Sequence, residues 1–106
     1  MSDLQLRAWR PLFPASTVNV AASAASQYVA APNTPLGTRS VRVVNLGTAT
    51  VFLEFVESAA GTASATTGVP VLPNTVEVFT FSNDKTGIDV IGAAGSTVYF
   101  TFGEGL

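Results

Sequence analysis

VRVVNLGTATVFLEFV, residues 41–56, decides how the whole chain is read. Its first part alternates with period two, Val41 and Val43 on one side and Arg42 on the other, which predicts a half-buried strand. Asn45, Leu46, Gly47 and Thr48 then supply a turn, because Asn and Gly tolerate positive φ. Beyond it Val51, Leu53 and Phe55 share one face, and Thr50, Phe52, Glu54 and Val56 share the other. A strand this apolar on both faces belongs in the middle of a sheet, or has its outer face covered. Arg42 and Glu54 are the stretch's two charged side chains, and nothing in it resembles a catalyst.

Working outward, the same alternation recurs. Thr17 to Ala21 puts Val18 and Val20 on one face, and Gln27 to Ala31 carries Tyr28 as its large side chain. The intervening AASAAS holds helix-favouring alanine, but so short a run cannot nucleate a helix alone, so it reads as a turn. Residues 31–38, APNTPLGT, form a loop by their prolines, Asn33 and Gly37. Residues 57–68 are small and polar. VPVLPN (69–74) carries Pro70 and Pro73, which cannot donate to a ladder, so it lies at a sheet edge or on a crossover. Thr75 to Phe81 shows Val76 and Val78 on one side and Phe79 and Phe81 on the other. SNDKTG turns, Ile88 to Gly92 is short, and Thr97 to Phe102 gathers Val98, Phe100 and Phe102 on one face. The sum is an all-β chain. It predicts a single small β-sandwich or jelly-roll/barrel-like domain of seven to eight antiparallel strands, with an N-terminal arm.

The arm is residues 1–16 and the sandwich residues 17–106. Pro11 and Pro14 argue for an extended or irregular arm rather than a helix. Leu6, Trp9, Arg10, Leu12 and Phe13 are its candidate partner-binding residues, since Trp and Arg are over-represented among interface anchors. The alternative is that the arm folds back and caps one end of its own sandwich.

Composition removes whole classes of function. The chain has 106 residues, one domain by length. It contains no cysteine and no histidine, which excludes a disulfide framework, Cys/His zinc sites and a nucleophile–histidine pair within it. Five basic and seven acidic residues are spread singly, for a net charge of −2. No basic stripe could neutralise a row of phosphates, so nucleic acid is not an expected partner. No apolar run approaches the ~20 residues of a membrane span, and residues 1–13 lack the apolar core of a secretory signal. Only 11% of residues are charged, against about 25% in a typical soluble chain. Such a surface has little repulsion to hold copies apart.

The carboxylates Asp3, Glu54, Glu57, Glu77, Asp84, Asp89 and Glu104 each sit where a solvated strand face or turn would put them, and no pair is singled out for acid–base work. Asn83, Asp84, Lys85 and Gly87 lack the alternating oxygen ligands of a calcium loop and read as a turn. The glycines at 92, 95, 103 and 105 match neither a phosphate loop nor a dinucleotide fingerprint. No catalytic residue, metal site or cofactor is expected.

Three stretches carry a resemblance: SVRVVNLGTATVFLEFV, VPVLPNTVEVFTF and STVYFTFGEGL. Their Val41–Asn45 strand end, Val51–Phe55 alternation, Pro70–Thr75 turn and closing Tyr99–Gly105 strand resemble small structural proteins of tailed bacteriophages, over residues 39–105. The resemblance implies a capsid decoration, or cement, protein that sits outside the shell and bridges subunits of the major capsid protein. Its implied location is the virion surface, after synthesis in the host bacterial cytoplasm, and it would be a homodimer or homotrimer. A head–tail, tail or head-fibre base component is the alternative within structural proteins. A carbohydrate-binding module is the alternative outside them, with Trp9, Tyr28 and Tyr99 as its candidate aromatics.

Overall fold

The computed structural model describes residues 9–32, 39–57, 67–82 and 84–104. Eight strands follow in order: β1 (Arg10–Ala21), β2 (Gln27–Ala30), β3 (Arg39–Gly47), β4 (Val51–Val56), β5 (Val69–Val71), β6 (Thr75–Phe81), β7 (Gly87–Gly92) and β8 (Ser96–Glu104). They form two four-stranded sheets, β1-β8-β3-β6 and β2-β7-β4-β5, with every pairing antiparallel. All successive strands change sheet except β4 and β5, so the all-β expectation resolves into the double-sheet jelly roll. Strand β1 runs across the Ser16/Thr17 boundary: Arg10 pairs with Glu104 and Pro11 with Gly103, then the register shifts before Ser16 meets Phe102. That irregularity contains Pro14, whose missing N–H interrupts a ladder.

The core is the shared interior of the two sheets. Val41, Val43, Val98, Phe100 and Phe102 come from one sheet, Val29, Val51, Leu53, Val71, Ile88 and Val90 from the other, and all are buried. The inward sets at Val41/Val43, Val51/Leu53 and Val98/Phe100/Phe102 follow from the period-two pattern. Strand β4 lies between β7 and β5, inside its sheet, which explains apolar residues on both its faces. Strand β5, with Pro70, is an edge strand as its proline requires. At one end of the interior Phe55 stacks on Phe81 at 5.3 Å and meets Phe79 edge-on at 5.7 Å. Arg39 lies over the Phe81 ring at 5.1 Å and donates to the carbonyls of Lys85 and Pro32.

Two expectations are corrected here. Asn45 is no turn residue: it sits within β3, is 0% exposed, and does not adopt a positive φ. Its Nδ2 donates to the carbonyls of Ala49 (2.9 Å), Val71 (3.0 Å) and Leu72 (3.2 Å), tying β3 of one sheet to the β5 end of the other. The positive φ falls at Gly47 instead, where a Cβ would lie 2.2 Å from the Gly95 carbonyl oxygen. Glycine is therefore required at 47 both for its conformation and for the close backbone approach. The second correction concerns Asp89, expected on a solvated face but 0% exposed. It occupies the middle of a cross-strand row, with Tyr28 on β2 and Glu54 on β4 directly opposite it. A central strand shields its side chains from both flanks, and alternation alone cannot reveal that.

Candidate interaction surface

The two sheets present different outer faces. On β2-β7-β4-β5, the outward side chains Tyr28, Phe52, Glu54 and Ile91 are half-buried and Asp89 is buried. Glu54 accepts a hydrogen bond from Thr67 at 2.6 Å, and the Tyr28 hydroxyl meets Thr86 at its carbonyl (3.0 Å) and its hydroxyl (3.1 Å). On β1-β8-β3-β6, the outward positions follow from the register: Thr17, Asn19 and Ala21; Thr97, Tyr99 and Thr101; Arg42, Val44 and Leu46; Val76, Val78 and Thr80.

That second face carries an apolar surface. Val76 lies opposite Val44, which lies opposite Tyr99, so the three form one row across β6, β3 and β8. Leu46 is 49% exposed, Val76 48% and Val78 38%. Arg42 is the one charged side chain on this face among the described residues, beside Val78 in the ladder. Scattered exposed hydrophobics are ordinary, and a contiguous set with little charge makes this face the candidate for contact with other protein.

The sequence-based candidates fare unevenly. Trp9 is half-buried immediately before β1, and its indole Nε1 is buried without a hydrogen-bond partner among the described residues. Arg10, Leu12 and Phe13 lie on β1, in or beside its irregular half, and their side chains are outside the described residues. Leu6 lies outside them altogether. The structure adds Val44, Leu46, Val76 and Val78. For Val76 and Val78 the sequence offered the apolar pattern on both faces of β6, but only the register sets them beside Val44 and Leu46 of β3. Of the carbohydrate-platform aromatics, Tyr28 and Tyr99 stand on different sheets, so they form no continuous row.

The remaining cluster of charge is a surface turn. Lys85 N–H closes onto the Ser82 carbonyl at 3.1 Å, the Ser82 hydroxyl donates to Asp84, and Lys85 pairs with Glu57 at 3.3 Å. The Ser82 hydrogen bond, with help from the Lys85 charge, holds the Asp84 carboxyl below its ordinary value of 3.8. A lowered folded-state pKa favours the folded turn above the unfolded value, and the benefit is lost as pH falls through the folded one. Ser82→Ala should therefore move the Asp84 titration, followed by carboxyl NMR, up toward 3.8. A titration left where it was would remove Ser82 as the principal cause.

No protein-family model and no curated protein matches the chain. Among solved structures it is similar to a chain from the work titled "Bacillus endospore appendages form a novel family of disulfide-linked pili". The TM-score is 0.54 with 19% identity, covering 99% of each chain. At that identity the likeness concerns the fold, an eight-stranded jelly roll, and a shared fold does not carry function with it.

Proposed function

We propose that this chain is a structural protein that works as one of many copies in a protein assembly and carries out no reaction. The observation that carries this reading is the outer face of β1-β8-β3-β6, where Val44, Leu46, Val76 and Val78 stand with a single charge among the described residues. Exposed apolar surface on a rigid sheet is what contact between copies requires, and catalysis has no use for it. The pilus protein that shares the fold is described as disulfide-linked. With no cysteine, copies of this chain would join by surface fit and strand addition alone.

Within that class, the motifs across residues 39–105 favour decoration of a tailed-phage capsid, with copies bridging major capsid protein subunits from outside. A shell-bound protein gains from many simultaneous contacts through effective concentration, so each contact can be modest. The jelly-roll likeness to a pilus protein favours a second reading, a filament subunit. Electron microscopy of virus particles carrying the protein separates these. Decoration predicts density for many copies over the whole shell, and co-sedimentation of added protein with capsids. A single ring at one vertex would indicate a head–tail or tail component, and filaments from the protein alone would indicate the second reading.

A further inference from the structure

An edge strand offers unpaired backbone donors and acceptors, and proteins ordinarily blunt such edges with proline, lysine, bulges or short length. The four edges of this sandwich are β1 and β6 in one sheet and β2 and β5 in the other. Strand β5 has three residues and contains Pro70. Strand β2 has four residues. Strand β1 contains Pro11 and Pro14, breaks register between Pro11 and Ser16, and has its Ala21 carbonyl taken by Gln27 Nε2 at 2.7 Å.

Strand β6 carries one such device, the charge of Glu77, which its register opposite the buried Val43 sets on the core-facing side. Its seven residues, TVEVFTF, hold no proline and no lysine, and its register against β3 is unbroken from Thr75 to Phe81. Among the described residues, no backbone hydrogen bond outside the strand ladder reaches it. Glu77 is its lone charged side chain, and Val76 and Val78 stand exposed on the outer face.

We propose that β6 is the joint between two copies of this chain, each β6 lying antiparallel to the other about a twofold axis at Val78. The proposal rests on the assembly reading above. Because β6 is the longest edge without proline, lysine or a register break among the described residues, its most economical complement is itself, which gives an isologous, closed contact. Centring the pair on Val78 lets all seven residues take part, Thr75 opposite the second copy's Phe81. It also sets Glu77 opposite Phe79, whereas a pair centred on Glu77 would set like charges face to face. The two four-stranded sheets become one of eight strands. Val44, Val76 and Val78 of both copies then form a single apolar surface, twice as long, that a further partner could cover.

The test exploits the self-pairing of position 78. Val78→Lys and Val78→Glu each place like charges against each other across the axis. The side chain is exposed, so both variants should keep the wild-type circular dichroism spectrum. By sedimentation velocity each alone should dimerise at least ~100-fold more weakly than wild type, and an equal mixture should restore dimers by pairing Lys with Glu. Thr17→Lys on β1 should leave the dimer unchanged. If wild type associates but the two variants associate equally well, or their mixture restores nothing, the β6 joint is wrong while the assembly reading stands. A wild type that is monomeric at every concentration would remove both.

Discussion

Replacing Phe100 with alanine should cost about 3–5 kcal/mol, the range for emptying a large aromatic from a packed core. Phe100 lies near the middle of β8, fully buried, with Val43 opposite on β3 and Val18 opposite on β1. Neighbouring side chains on paired strands are fixed by two ladders and can close the void only in part. A domain of this size has about 5–15 kcal/mol of stability in all. The variant should therefore unfold at much lower urea than wild type, with Tm down by more than about 10 °C. The comparable deletion at Val76, which is 48% exposed, should stay within about 0.5 kcal/mol. A Phe100→Ala loss under about 1.5 kcal/mol would mean that the two sheets do not pack as described.

Asn45 should be the costliest polar residue to remove. Its two Nδ2 hydrogens serve three carbonyls, those of Ala49, Val71 and Leu72, and the side chain is fully buried. Asn45→Ala takes this donor from the buried Val71 carbonyl, whereas the Leu72 carbonyl keeps Thr75 Oγ1 (2.7 Å) and the Ala49 carbonyl keeps Ser96 Oγ (2.8 Å), so a loss of roughly 1–3 kcal/mol is expected. Asn45→Asp should be worse at neutral pH, because a carboxylate would face three carbonyl oxygens. Folding would then favour its protonated form, and the penalty would grow as pH rises through the usual carboxylate range. Urea unfolding of both variants at pH 4 and pH 7 checks this. Equal stabilities for wild type and Asn45→Ala would show that the side chain does not tie the sheets together.

Asn45 also shows where the sequence stops being legible. Period-two alternation placed Val41, Val43, Val51, Leu53, Val98 and Phe100 on the correct faces, because facing is a local property of a strand. Turn chemistry is local too, which is why the prolines put β5 at an edge. The partners of Asn45 are up to 27 residues away, and no local pattern distinguishes an asparagine that turns the chain from one that clamps two sheets. Asp89 was misplaced for the same reason. Its burial depends on β2 and β4 flanking β7, and strand order is set by contacts between distant segments. Strands β1 and β8, at opposite ends of the sequence, are partners over most of their length.

The candidate interaction surface was less legible than the fold. Trp9 and its neighbours drew notice by residue type, whereas Val44, Leu46, Val76 and Val78 looked like ordinary strand residues. Only the register gathers them, since Val44 and Val76 stand 32 positions apart in sequence (76 − 44) yet directly opposite in the ladder. The open edge of β6 is likewise visible only against the other three edges. Sequence shows that β6 lacks proline and lysine; the fold shows that it is an edge at all.

Sedimentation equilibrium of the purified protein, run over a wide concentration range, puts the central claim to its most direct test. Assembly through contact between copies requires a mass that rises from monomer to at least twice that value with concentration. A mass fixed at that of one chain throughout would contradict it.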